Sequence, residues 1–130
     1  LNTPKYNQDI CASYLTEIDL DKHFENCRNY YREKLNLFLK TMEKYFPPES
    51  GVTWTKPEGG LFLWVTVPEK IDTEKLFYEA LKYKVAFVPG WQFYGEKPSK
   101  NHMRLNFSFS SKDQLVEAVK RLAKCIKNQK

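Results

Sequence analysis

A long helical pattern between residues 21 and 46 constrains the fold of this chain most. Apolar side chains recur there at intervals of three and four residues, which is the spacing of one face of an α-helix. These side chains are Phe24, Cys27, Tyr31, Leu35, Phe38, Met42 and Tyr45. The pattern predicts an amphipathic helix that Asp21 caps and Pro47-Pro48 ends, because proline has no amide proton and disfavours helix in the residue before it.

Shorter patterns on either side predict further elements. Pro4–Leu15 is expected to form another helix ahead of the long one. Val52–Thr55 and Leu61–Val65 are rich in β-branched and aromatic residues, and the turn-forming Pro57–Gly60 lies between them. This arrangement predicts a β-hairpin.

Capping signals predict two helices in the second half. Asp72 is placed to cap one of them, and Ser111 with Gln114 has the spacing of a capping box at the start of the other. Their apolar faces are Leu76, Phe77, Ala80 and Leu81 in the first, and Leu115, Val119, Leu122 and Ile126 in the second. Val85–Val88 and Met103–Phe109 are predicted to be strands between these helices.

The order of these elements predicts an α+β fold. A small, mainly antiparallel sheet would have helices packed on one face, which makes a two-layer α/β arrangement. A chain of 130 residues with 42% apolar content can bury one core of this kind. We therefore expect a single domain over 1–130, with the long helix at about 21–46 and the sheet and its helices at about 52–127.

Composition limits the classes of function. The 21 basic and 16 acidic residues give a net charge of +5, but the charges are interleaved along the sequence, which indicates a solvated surface. Cys11, Cys27 and Cys125 have no metal-ligand spacing and are expected to be reduced and mostly buried. His23 and His102 are expected at the surface, without a metal. No apolar window is long enough for a membrane helix and no secretion signal opens the sequence, so we expect a cytoplasmic protein that does not bind a membrane.

Arg104 is the strongest candidate for a binding residue. A guanidinium binds a carboxylate through two parallel charge-assisted hydrogen bonds, and a strand would hold it in position for that contact. Spacing alone also fits a surface or ion-pairing arginine, which is the more frequent case. The other arginines lie on predicted helices: Arg28, Arg32 and Arg121.

Three blocks of sequence together resemble the C-terminal domain of a fold type I, class I/II aminotransferase that depends on pyridoxal phosphate. They are Pro57-Glu58-Gly59-Gly60-Leu61-Phe62-Leu63-Trp64, Val85-Ala86-Phe87-Val88-Pro89-Gly90 and Arg104-Leu105-Asn106-Phe107. Their form, together with Asn2-Thr3-Pro4 and Gln8, is similar to the aminoadipate and aromatic-type branch of this family. The resemblance spans almost the whole chain.

The resemblance implies roles for two residues. Arg104 would bind the α-carboxylate of an amino acid or 2-oxo acid substrate, and Phe62 would line the substrate pocket, for which ordinary core packing is the alternative. Gly59 and Gly60 are expected to form a tight turn that needs positive φ or a close backbone approach. Trp91, Phe93 and Tyr94 are expected in the core or at a domain interface.

The chain departs from the family pattern because it lacks the lysine segment that holds the cofactor. The lysines of Ser99-Lys100 and Ser111-Lys112 lie at the wrong place for that role, and no glycine-rich turn opens a helix to receive a phosphate. We therefore expect a fragment of a longer parent, which fits a sequence that begins at Leu1 without methionine. The fragment alone would bind no pyridoxal phosphate and be inactive. The parent, commonly a homodimer in this family, would add a large cofactor-binding domain.

Two other classes of function stay open at this point. Some winged-helix transcription regulators carry an aminotransferase-like effector domain, and this chain could belong to one. A basic, aromatic-bearing chain could also be a free-standing module that binds single-stranded nucleic acid. The sequence favours the aminotransferase, and nucleic acid is the least expected partner.

Overall fold

The computed structural model describes residues 2–96 and 99–129. Contacts between residues divide the chain into two compact units, Leu1–Glu33 and Lys34–Lys130. The expectation of a single domain stays a prediction. No helix in the described part of the chain is long and apolar enough to cross a membrane.

The first unit is helical. Helix α1 spans Lys5–Glu17, which confirms the predicted helix and extends it by two residues, and none of its residues is buried. Helix α2 spans Leu20–Tyr45, in agreement with the predicted long helix. The predicted cap at Asp21 is wrong: Asp19 precedes the helix, and its carboxylate accepts a hydrogen bond from the backbone amide of Lys22 at 3.0 Å.

Helix α2 buries a narrower face than its apolar spacing predicts. Its buried residues are Lys34, Phe38, Thr41 and Met42. Phe24, by contrast, is 49% exposed. The buried Lys34 ammonium donates a hydrogen bond to the carbonyl of Ser108. This hydrogen bond offsets part of the free-energy cost of burying the charge.

A four-stranded antiparallel sheet forms the centre of the second unit, in the order β1-β2-β4-β3. The strands and remaining helices are β1 (Thr53–Trp54), β2 (Phe62–Thr66), α3 (Thr73–Lys82), β3 (Val88–Pro89), β4 (His102–Asn106) and α4 (Lys112–Lys127). Pairing of β1 with β2 confirms the predicted hairpin. Gly60, in the turn, has φ of +80°, which favours glycine as expected.

One face of the sheet is the core. Alternate residues of β2 and β4 are buried there: Leu63, Val65, Met103 and Leu105. They form one apolar cluster with side chains from α3 and α4, among them Leu76, Ala80, Leu115, Val119 and Leu122. The predicted α+β fold with helices packed on one face is thus confirmed, although Leu81, expected on the buried face of α3, is 46% exposed.

Two strands are shorter than predicted. The strand expected at Val85–Val88 starts only at Val88, because the amide of Val85 is already used in a hydrogen bond to the Ala80 carbonyl at the end of α3. The strand expected to reach Phe109 ends at Asn106, whose side-chain oxygen accepts hydrogen bonds from the amides of Ser108 and Phe109. Such a side-chain turn competes with continued pairing of the strand.

The predicted helix caps of the second unit are confirmed. The Asp72 side chain accepts hydrogen bonds from the amides of Glu74 and Lys75 at the start of α3. Ser111 and Gln114 form a reciprocal capping box at the start of α4. Both helices therefore begin with some of their free amides satisfied within the chain.

Helix α3 ends in a left-handed residue that is not glycine. Lys84 has φ of +58°, and the amide of Val85 after it bonds to the carbonyl of Ala80, the pattern of a Schellman motif. Glycine is preferred at such a position because a β-carbon is strained there.

Replacing Lys84 by glycine should therefore stabilise the fold. Lys84→Gly relieves the left-handed strain, and we expect the free energy of unfolding in urea to rise by about 1 kcal/mol. Lys75→Gly is the matched control, since Lys75 is exposed inside α3 and glycine should cost about 1 kcal/mol there. A loss of stability in Lys84→Gly would contradict the assignment of backbone strain to Lys84.

The cysteines differ from expectation in burial. All three are free thiols, but Cys11 is exposed, Cys27 is half-buried and only Cys125 is buried. Burial raises the pKa of the Cys125 thiol.

This difference predicts unequal thiol reactivity. The thiolate is the reacting form, so an aromatic disulfide reagent at pH 8 should label Cys11 and Cys27 and leave Cys125 unmodified until urea unfolds the chain. Mass spectrometry of the labelled peptides reports each site. Labelling of Cys125 in the native chain at the rate of Cys11 would contradict its burial.

Candidate functional site

The face of the sheet opposite the core carries the candidate site. Side chains alternate along a strand, so the residues between the core positions of β2 and β4 lie on this face. They are Phe62 and Trp64 on β2, and His102 and Arg104 on β4. Trp64 is the direct cross-strand partner of Arg104.

The Arg104 guanidinium contacts two aromatic rings. The central carbon of its guanidinium lies 4.1 Å from the centre of the Phe62 ring and 4.7 Å from that of Phe93. Contacts of this kind attract a cation to the face of the ring and fix the plane of the guanidinium. The two phenylalanines thus orient the charged group without neutralising it.

The Arg104 guanidinium has an unsatisfied donor. Its Nε is buried and has no hydrogen-bond partner in the described structure. No carboxylate among residues 2–96 and 99–129 pairs with Arg104, whereas Arg121 donates to Glu117 at 2.8 Å. A guanidinium with a free donor and no acid beside it can bind an anion.

A glycine brings Phe93 to this position. After β3, residues Gly90–Phe93 form one turn of 3₁₀ helix that passes close to β4. A β-carbon on Gly90 would lie 2.7 Å from the carbonyl oxygen of His102, so no other residue fits without a shift. The close approach brings Phe93 into contact with Arg104, which Phe62 also contacts.

An aromatic cluster supports the turn. Trp64 packs edge-on against Phe93, with ring centres 5.6 Å apart, and also contacts Tyr94. His102 stacks on Trp64 at 5.7 Å, and its Nδ1 lies 3.1 Å from the Ser99 hydroxyl. The expectation that His102 is a surface residue is wrong: it is half-buried because its ring is part of this cluster.

A buried threonine positions the start of β4. Thr73, the first residue of α3, is fully buried, and its hydroxyl lies 2.9 Å from the carbonyl of Lys100 and 2.8 Å from that of His102. Its amide also donates to the Lys100 carbonyl. Helix α3 is thereby tied to the chain two residues before Arg104.

The structure brings together both residues predicted for the site. Phe62 is 42% exposed and lies against Arg104, so ordinary core packing does not describe it. The sequence did not reveal that Phe93 contacts Arg104, or that Trp64, His102 and Thr73 support this site. The alternation of Phe62 and Trp64 with buried Leu63 was the available signal for Trp64.

The starts of α3 and α4 are capped within the chain. Asp72 accepts hydrogen bonds from two amides of α3, and Ser111 from one amide of α4, so these amides are not free to hold a phosphate. Lys100 is paired with Asp72 at 3.6 Å. No group of three His, Cys, Asp or Glu side chains in the described ranges is placed to bind a metal ion.

Comparison with known proteins identifies relatives over nearly the whole sequence. A family model for aminotransferase class I and II matches residues 1–122. The aromatic-amino-acid aminotransferase 1 of Thermococcus litoralis is 40% identical over 129 residues, which are 99% of this chain and 30% of that protein. The 2-aminoadipate transaminase of Thermus thermophilus is 35% identical over 127 residues, 98% of this chain and 31% of that protein. These matches confirm the resemblance drawn from the sequence motifs.

Solved structures agree with this result. The kynurenine aminotransferase of Pyrococcus horikoshii, solved in complex with PMP, superposes with a TM-score of 0.83 at 43% identity over 90% of this chain and 28% of that one.

A sequence relative of another class also matches. An uncharacterized HTH-type transcriptional regulator of Bacillus subtilis is 29% identical over 117 residues. This chain spans about 30% of the length of the curated aminotransferases that it matches.

The anchoring role of Thr73 can be tested by stability. Thr73→Val keeps the shape but removes the hydroxyl from two partly buried carbonyls, and should lower the free energy of unfolding by about 1 to 3 kcal/mol. Thr66→Val is the control, because Thr66 is half-buried on β2 and no hydrogen bond of its hydroxyl is found in the described structure. Equal, small effects of both substitutions would contradict the role given to Thr73.

Proposed function

The chain belongs to the aminotransferase class I and II family, and we propose that it is the C-terminal, substrate-recognising domain of a pyridoxal-phosphate-dependent aminotransferase. The longer parent transfers an amino group between an amino acid and a 2-oxo acid. Both kinds of substrate carry a carboxylate beside the reacting carbon. Arg104 binds that carboxylate, and Phe62 lines the same pocket.

The unpartnered guanidinium of Arg104 is the observation that carries this proposal. A structural arginine would be expected to pair with an acid or with carbonyls of the fold, but the buried Nε of Arg104 has no partner among the described residues. A bound carboxylate would supply the missing acceptors and a compensating charge. Charge-assisted bonds of this kind are roughly twice as strong as neutral ones.

The two phenylalanines fix how the carboxylate binds. Phe62 and Phe93 both pack against the guanidinium, whose N–H donors all lie in its plane. A carboxylate must then lie near the plane of the guanidinium to make two parallel bonds. This restriction orients the rest of the substrate relative to the sheet.

The transfer chemistry itself belongs to the rest of the parent. Pyridoxal phosphate, the cofactor proposed for the parent, is held by the large domain, and this chain alone binds none and is inactive. Its role is to bind and orient the carboxylate. A cytoplasmic, homodimeric parent completes the proposal.

A second candidate function is the effector domain of a transcription regulator. The match to an HTH-type regulator at 29% identity favours it, although the aminotransferases match at higher identity. In that case Arg104 would bind an amino acid as a signal. The two functions differ in the parent, since a regulator would carry a DNA-binding module and bind an operator.

Substitution of Arg104 in the parent tests the proposed role. Arg104→Ala should lower kcat/KM for amino acid substrates by roughly 2 to 5 kcal/mol of transition-state stabilisation, because a buried charge pair loses one partner. Steady-state kinetics measure the loss, and an unchanged melting temperature would show that the fold is intact.

Two controls make this experiment decisive. Arg121→Ala removes an equal charge outside the site and should leave kcat/KM unchanged. Arg104→Lys keeps the charge but cannot form the two parallel bonds, so its activity should lie between that of the wild type and that of Arg104→Ala. Wild-type kinetics in Arg104→Ala would overturn the role of Arg104, and a parent that binds an operator and turns over no amino acid would support the regulator instead.

A further inference from the structure

A basic groove lies away from the Arg104 site, where α2, α3 and α4 end. It has a volume of about 1090 Å³, and its lining comes from the last residues of α2 and the segment after it, the approach to α3, the end of α3 and one side of α4. None of the residues around Arg104 takes part. The groove is therefore a second, separate concavity of the Lys34–Lys130 unit.

The groove contains the excess charge of the chain. Helix α4 contributes Lys120, Arg121, Lys124 and Lys127. The other basic lining residues are Lys70, Lys82 and Lys84, and the acidic ones are Glu49 and Glu117. Seven basic and two acidic side chains leave a surplus of five, which equals the net charge of the whole chain. The interleaved charges of the sequence indicated a uniform solvated surface, but the fold concentrates the surplus here.

Three of the basic residues that line the groove form ion pairs within the chain. Glu117 pairs with Arg121 at 2.8 Å and with Lys120 at 3.8 Å, and the hydrogen bond from Arg121 lowers the pKa of Glu117. Lys82 pairs with Glu79 at 2.7 Å, and that hydrogen bond raises the pKa of Lys82. Each of these three cations therefore has a neighbour within the chain.

Four cations have no such partner. Lys70, Lys84, Lys124 and Lys127 form no ion pair in the described structure. Cations at the C-terminal end of a helix interact favourably with the helix dipole. This interaction explains Lys124 and Lys127 in the last turn of α4. It does not explain Lys70, which lies before α3 rather than at its end.

One lysine of the groove, Lys84, occupies a strained backbone position. It is the left-handed residue that ends α3, where glycine would be less strained. Backbone strain of this kind collects at binding and catalytic sites, where the surrounding structure holds it in place. Here the strained residue contributes a lysine to the groove.

The remaining lining is apolar and partly aromatic. Tyr45 and Tyr83 are half-buried there, next to Phe46, Ile71 and Ile126 of the core. The Tyr83 hydroxyl accepts a hydrogen bond from the Asn128 side chain at 2.9 Å, which fixes the ring. The groove therefore presents flat apolar surface beside unpaired ammonium groups.

We propose that this groove binds a nucleoside polyphosphate. The unpaired lysines bind the phosphates, and the apolar lining with Tyr83 contacts the base. The groove has the volume of a small-molecule site. The lining cations come from three segments around one concavity, whereas a polymer is bound along a basic groove that follows its backbone. Both features favour a small ligand over a nucleic acid.

Calorimetric titration of the 130-residue chain at low salt tests this proposal. ATP and inorganic tripolyphosphate are the probes, with a single-stranded oligonucleotide for comparison. ATP should bind more tightly than tripolyphosphate, because only ATP has a base. Lys84→Gly and Lys124→Gln should each weaken ATP binding roughly tenfold, by removing a charged hydrogen bond to a phosphate.

Matched variants separate charge from folding. Lys84→Gly is expected to stabilise the chain, so a loss of binding in it cannot come from unfolding. Lys75→Gln removes an exposed charge of α3 outside the groove and should leave binding unchanged. Tyr83→Leu should weaken ATP binding but not tripolyphosphate binding, and Tyr83→Phe, which keeps the ring, should change neither.

Three results would overturn the proposal. They are no binding of ATP at millimolar concentration, equal weakening by Lys75→Gln and Lys84→Gly, and oligonucleotide binding many times tighter than ATP binding. The last result would identify a nucleic-acid surface. None depends on Arg104 or on transamination, so failure here leaves the proposed function untouched.

Discussion

The antiparallel pairing of β2 with β4 is the constraint on which the rest of this structure depends. Five residue pairs run from Phe62↔Asn106 to Thr66↔His102. Because side chains alternate, this register sends Leu63, Val65, Met103 and Leu105 into the core and places Arg104 beside Phe62 and Trp64 on the other face. A slip of one residue would bury Arg104 in the apolar cluster and expose the core. Stability and the candidate site are thus set by one register.

Lys34 and Arg104 both have buried atoms, but they differ in their hydrogen bonding. Lys34 is fully buried and donates to the Ser108 carbonyl, so its charge is engaged within the fold. Arg104 contacts two phenylalanine rings and has a buried Nε without an acceptor in the described structure. An unsatisfied buried donor costs about 1 to 3 kcal/mol, which a bound anion recovers. Contact with the two rings also restricts the guanidinium before any ligand arrives, which lowers the entropy lost on binding.

Local signals in the sequence were sufficient for much of the fold. Helix α2, the Asp72 cap and the capping box of Ser111 and Gln114 follow from residues within a few positions of each other, and all three were found where predicted. Arg104 and Phe62 came from the family resemblance, and the structure places them in contact. Features that depend on distant segments could not be read from spacing. The approach of Gly90 to His102, the burial of Lys34 and the concentration of charge around Lys84 arise only when the chain is folded.

The structure of the parent protein with a bound amino acid or 2-oxo acid would test the central claim most directly. We expect the ligand's carboxylate in the plane of the Arg104 guanidinium, joined to it by two hydrogen bonds, with Phe62 and Phe93 in contact with the guanidinium. A carboxylate bound by other residues, with Arg104 paired to an acidic side chain of the parent, would contradict it. The missing partner of Arg104 would then be part of the fold and not a substrate.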